Sequence, residues 1–99
     1  MARLLKTAYE QWTIAIEYDG RLPSGESLLS GTVECVDHLG ADTSATILVT
    51  TTATVSGTQM KTIVRAGAVG DRHAITFKTL LSGGTKLEDT VFLEIVGTG

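Results

Sequence analysis

A chain of 99 residues, 42% of them apolar, is long enough for one domain around a single modest core. Its 8 basic and 11 acidic side chains leave a net charge of −3, and the dispersed Lys and Arg give no footprint for a nucleic-acid backbone. No stretch approaches the ~18 apolar residues of a membrane span, no signal-peptide run opens the chain, and the single cysteine, Cys35, excludes an internal disulfide. The expectation is a protein made in the cytoplasm.

Taken in chain order, residues 1–10 carry early charge and at most a turn of helix, and read as an N-terminal arm ahead of a β-domain over residues 11–99. "WTIAIEYDG" alternates, with Trp12, Ile14, Ile16 and Tyr18 on one face and Thr13, Ala15 and Glu17 on the other, until Asp19-Gly20 ends the run. Trp12 and Tyr18 thereby become core anchors. "RLPSGESLL", with the only proline, reads as a loop. "GTVECVD" is the next strand, with Val33 and Cys35 on one face, and "HLGADTS" is a second loop.

"ATILVTTTATVSGTQMKTIVRA" is rich in β-branched residues, which suit a pleated surface. Ser56-Gly57 marks a tight hairpin. "TILVTTTATV" is open between one strand and two. Beyond the hairpin, Met60, Thr62 and Val64 face one way, and Lys61, Ile63 and Arg65 the other. "GAVGDR" is a turn, "HAITFKTLL" a strand with Ile75 and Phe77 inward, and "SGGT" a hairpin turn. "KLEDTVFLEIV" closes the chain with Val91, Leu93 and Ile95 inward and Glu88, Thr90, Phe92 and Glu94 outward. Six or seven short strands at this spacing predict an all-β, antiparallel sandwich.

Few residues carry chemistry. Gly67-Ala68-Val69-Gly70 beside Arg72 has the spacing of a loop that clamps a nucleic-acid backbone, but that use needs flanking helices, and here both flanks read as strands. A strand-to-strand corner, where glycine permits positive φ, is the simpler reading. His73 as a general base would need partners such as Ser82, Asp71 or Asp89, which no spacing selects. At the head of a penultimate sandwich strand its ring is placed to bond back to the corner, so Gly67, Gly70 and His73 form a structural unit.

Asp37, His38 and Asp42 are fragments of a metal site in a solvated loop. Cys35, in phase with Val33, reads as a small buried hydrophobe. Glu17, Asp19 and Glu26 could be paired as glycosidase carboxylates, but acids so placed serve a solvated surface. The expectation is no catalytic residue, no metal and no cofactor. Phe92 and Ile63 alternate onto otherwise polar faces, which makes them the candidates for a protein contact.

With the strands placed, a longer pattern emerges across most of the chain. "IEYDGRLPSGESLLSGTVECVD", a Thr/Val-rich hairpin and "IVRAGAVGDRHAITFKTLLSGGTKLEDTVFLEIV" together resemble small bacteriophage and prophage proteins of the tail and head–tail region, the fiber–tail adaptor-like proteins. Their "L-x-x-G-E-x-L/I" loop is matched by Leu22, Gly25, Glu26 and Leu28. Their "G-x-x-G-x-x-Y-x-I" corner is matched by Gly67, Gly70, His73 and Ile75, with His73 standing where tyrosine is usual. Their "T-x-x-G-x-x-L-E" hairpin is matched by Thr79, Gly83, Leu87 and Glu88, with one extra residue before the glycine.

The resemblance implies a single immunoglobulin-like sandwich of about seven strands and a non-enzymatic virion protein. It would be assembled in the host cytoplasm and bind other tail or head–tail proteins, with neither nucleic acid nor membrane as partner, in several copies around a ring. The alternative from another class is an immunoglobulin-like decoration module that recognises a host-surface glycan or protein.

Overall fold

The structure, a computed structural model, describes residues 3–97. Seven strands and one helical turn follow in the order β1 (Arg3–Thr7), β2 (Trp12–Glu17), β3 (Leu28–Asp37), α1 (Ser44–Ile47), β4 (Thr54–Ser56), β5 (Gln59–Val64), β6 (Arg72–Leu81) and β7 (Lys86–Val96). They form two stacked sheets, one ordered β1-β7-β6-β3 and the other β2-β5-β4.

The alternation read from the sequence places the core between them. Ile14, Val33, Cys35, Met60, Val64, Ile75, Phe77, Leu81, Val91, Leu93 and Ile95 are buried together, and Tyr18 continues the inward face of β2 past its end. Burying each large apolar side chain here contributes about 1.5–3 kcal/mol of transfer free energy. The two sheets come close at Gly31, where an added Cβ would collide with Met60 Cε of the opposite sheet.

Two expectations are corrected. Residues 3–7 lie within the sandwich as β1 rather than in a separate arm or a helical turn, and β1 runs parallel to β7, Arg3 beside Phe92 and Thr7 beside Val96. The sandwich is therefore not wholly antiparallel. Its first strand lies at the edge of the last strand's sheet rather than beside β2.

The segment 44–53, rich in β-branched residues, makes no strand. It folds into α1 and an irregular crossing, and only Thr54–Ser56 beyond it pair with β5. The reason is burial: Ile47 and Leu48 are consecutive and both point into the core, which strand alternation forbids and a helical turn allows. Ser44 Oγ replaces the missing ladder there, accepting from Cys35 N (2.8 Å) and donating to Cys35 O (3.3 Å).

Candidate functional site

The structure separates the two apolar contact candidates. Phe92 stands on the outer face of the four-stranded sheet and is 45% exposed; Ile63 stands on the outer face of the three-stranded sheet and is 38% exposed. They point away from each other across the sandwich.

Around Phe92 the sheet register builds a row. Phe92 lies beside Ala74, and Ala74 beside Val36. On the β1 side Leu5 stands next to Glu94 and is 60% exposed. Strand period two puts all four on one face. A shallow cavity of about 370 Å³ opens there, lined by Asp37, His38, Arg72, His73, Ala74, Phe92, Leu93 and Glu94. An apolar strip with charged residues of both signs on its rim has the composition of a protein-contact surface. Ile63 borders a smaller depression of about 270 Å³, whose lining is mostly threonine, with Val49 and Lys61.

The corner residues do come together. Ala66 (φ 55°), Gly67 (φ 96°) and Gly70 (φ 94°) all adopt left-handed backbone between β5 and β6. At Gly67 a Cβ would also stand 2.8 Å from Ile95 Cγ1, so glycine is required twice over. The turn closes through Asp71 N donating to Ala68 O, while Ala68 N donates to Asp71 Oδ2. It docks on β7 through Gly70 N to Ile95 O and Ile95 N to Asp71 O, both 2.9 Å. Strands flank the Gly-x-x-Gly loop on both sides, so no helix aims its amides at a phosphate.

His73 is buried at the head of β6. Its Nδ1 lies 3.0 Å from Thr43 Oγ1, and its Nε2 lies 3.6 Å from Asp71 Oδ2. Thr43 Oγ1 is in turn 3.2 Å from Cys35 Sγ. The Thr43 hydroxyl donates to Cys35 Sγ and so accepts from Nδ1–H, which leaves His73 Nε2 buried near Asp71 without a hydrogen bond.

Burial pushes His73 below the usual histidine range, against the opposing pull of Asp71 and Asp37. Burial also raises the Cys35 thiol to about 11, the reverse of what a nucleophile needs. Of the residues nominated with His73, only Asp71 lies beside it. Ser82 follows the far end of β6, and Asp89 sits opposite Phe77.

The acidic candidates serve turns. Asp37 Oδ1 accepts from Leu39 N and Ala41 N, both 2.9 Å, and Asp42 Oδ1 accepts from Ser44 N. Backbone donors hold both carboxyls below the usual range. Among the described residues no three His, Cys, Asp or Glu side chains converge as a metal site. Glu17 takes the Thr58 hydroxyl, the Asp19 amide and the Gln59 amide, which lower its pKa in the same way. Glu26 accepts from Gly83 N (2.9 Å) and Thr85 Oγ1 (3.0 Å), clamping the β6–β7 hairpin from 57 residues away.

Two buried polar groups were not singled out in the sequence. Lys6 points into the sandwich and donates to Thr7 O and Ala66 O; burial lowers its pKa, and Glu10 opposes the shift. Tyr18, expected only as an apolar anchor, carries its hydroxyl to Thr79 and Asp89 of the other sheet. The signal for Lys6 was its place in β1 opposite Ile95, and no local pattern showed β1.

The connectivity defines the class of protein. With β2-β5-β4 in one sheet and β3, β6 and β7 in the other, this is an immunoglobulin-like β-sandwich. No protein-family model matches the chain, and no curated protein matches it.

Proposed function

We propose that this protein is a non-enzymatic component of a bacteriophage or prophage virion, an adaptor in the tail region that joins other tail or head–tail proteins. Its three resemblance motifs, around Glu26, Gly67 to His73, and Gly83, are the turns that hold the sandwich together. That use of the motifs accords with a scaffold rather than a reaction centre. The observation that carries the reading is the Val36–Ala74–Phe92 row with Leu5, an apolar strip on the outside of the larger sheet. Such a strip gains energy when another protein covers it.

A decoration module for glycans would want an exposed aromatic platform. The exposed aromatics here, Tyr9 and Phe92, stand apart, because Arg3 is beside Phe92 and Tyr9 follows the other end of β1. The assembly reading is therefore preferred.

The test is a pull-down of the tagged chain against the products of neighbouring genes, with light scattering to count subunits. Retention of a tail or head–tail protein by the wild type and its loss in Phe92→Lys supports the reading. Retention of a glycan with no virion protein bound would overturn it.

A further inference from the structure

Three of the four sheet edges are closed to a further strand. β3 is covered along its length: Val33 N donates to Thr51 O, Ala53 N to Gly31 O, Asp37 N to Ala41 O and Thr43 N to Cys35 O. β4 has only three residues. β1 has five, sends Lys6 inward, and commits both backbone groups of Thr7 to Glu10. Shortness, covering and inward lysines are the means by which sheets avoid edge pairing.

The edge of β2 has none of these. It is six residues long, "WTIAIE", without lysine, arginine or proline. Tyr18 N donates to Thr58 O, which sets the ladder phase: Ile14 and Ile16 turn their backbone groups to β5, and Thr13, Ala15 and Glu17 turn theirs outward. Among the described residues no backbone group answers those three, and their side chains are exposed.

We propose that this edge pairs with the same edge of a second copy, antiparallel, about a two-fold axis through Ala15. Two three-stranded sheets would become one continuous sheet. In this register Ala15 faces its own symmetry mate, and Thr13 faces Glu17 of the second copy. Each of these pairs exchanges N–H···O bonds in both directions, so every outward group on the edge is used.

The edge is self-complementary in charge. Its one ionised side chain, Glu17, meets a threonine hydroxyl, whereas sliding the copies until Glu17 faces itself would oppose like charges. On the inner side Ile14 of one copy meets the half-buried Ile16 of the other. A slip of one residue would turn that apolar face to water. A two-fold contact of this kind uses the same patch on both partners. It is independent of the tail-adaptor reading.

Sedimentation equilibrium of the full chain from ~1 μM to ~1 mM is expected to show a monomer–dimer equilibrium. Ala15→Lys sets two ammonium groups face to face on the axis, and Ala15→Pro removes the outward N–H on an edge where proline is tolerated. Each should weaken dimerisation at least ~10-fold, with circular dichroism unchanged.

Geometry is read separately by cross-linking. Facing residues of a hydrogen-bonded pair lie ~5.5 Å apart at Cα, within disulfide reach. Under mild oxidation A15C should give a linked dimer, T13C alone should not, and T13C mixed with E17C should. The wild type, whose Cys35 is buried, is the blank. A wild type monomeric throughout the range, a dimer indifferent to both Ala15 substitutions, or T13C linking as readily as A15C would each overturn the proposal.

Discussion

The Tyr18 hydroxyl lies 3.0 Å from Asp89 Oδ2 and 3.0 Å from Thr79 Oγ1, so the end of one sheet is bonded to the middle of the other. Because Tyr18 donates its proton to Asp89, Thr79 donates to the tyrosine oxygen. Arg21 completes the arrangement from outside, with two guanidinium nitrogens 3.1 and 3.0 Å from the Asp89 carboxylate and its guanidinium carbon 4.8 Å from the Tyr18 ring centre.

The two halves of that cluster differ in what they contribute. Tyr18→Phe leaves the buried Thr79 hydroxyl unanswered and should cost about 1–3 kcal/mol. Arg21→Ala breaks a pair open to water and should cost less than about 1 kcal/mol. Urea unfolding of both variants checks the order, and an Arg21 loss larger than the Tyr18 loss would contradict the account.

The corner separates backbone strain from collision. Gly67→Ala must hold a positive φ and also press on Ile95 and Ile47, so a loss above ~2 kcal/mol is expected. Gly70→Ala meets nothing within 4 Å and should cost about 1–2 kcal/mol from φ alone. Ala66→Gly relieves an existing left-handed alanine and should gain up to about 1 kcal/mol. Denaturant midpoints of the three variants give the comparison.

His73 should make the fold sensitive to mild acid. Burial lowers its pKa in the folded state from the ordinary value of 6.5, so the unfolded chain takes up the proton first as pH falls. Its contribution is complete above about pH 6.5 and is lost as pH descends from there through the lower folded value. Unfolding measured between about pH 7.5 and 5.5 should show a decline in the wild type that is smaller in His73→Phe. Equal slopes would remove His73 as the cause.

Phe92 and Ile63 give a face-resolved test of assembly. Both are partly exposed, so Phe92→Ser and Ile63→Ser should each change stability by no more than about 1 kcal/mol. Binding of a tail-region partner should fall with Phe92→Ser and persist with Ile63→Ser. The reverse result would move the contact to the three-stranded sheet.

Much of the fold was legible from local pattern. Period-two alternation in 12–18, 31–37, 59–64, 73–81 and 86–96 identified the inward faces, because side-chain direction in a strand depends only on parity. The glycines of 67–70 and 83–84 marked the corner and hairpin, because few other residues accept positive φ. Neither β1 nor α1 was legible. A five-residue edge strand shows little alternation, and α1 forms where two consecutive side chains must both enter the core, against the β-preference of its threonine and isoleucine.

The candidate site divides in the same way. Phe92 and Ile63 stood out as apolar residues on polar faces, but their opposite sides of the sandwich follow from which strands share a sheet. The sequence places His73 to bond back to the corner, whereas its hydrogen bond goes to Thr43, whose hydroxyl reaches Cys35, in segments 30 and 38 residues away. Composition and parity, being local, determined that this chain makes a β-sandwich and which side chains fill it. Strand order, the buried Lys6, the Tyr18–Asp89 tie and the uncovered β2 edge were decided only in three dimensions, because pairing depends on how distant backbone groups satisfy one another.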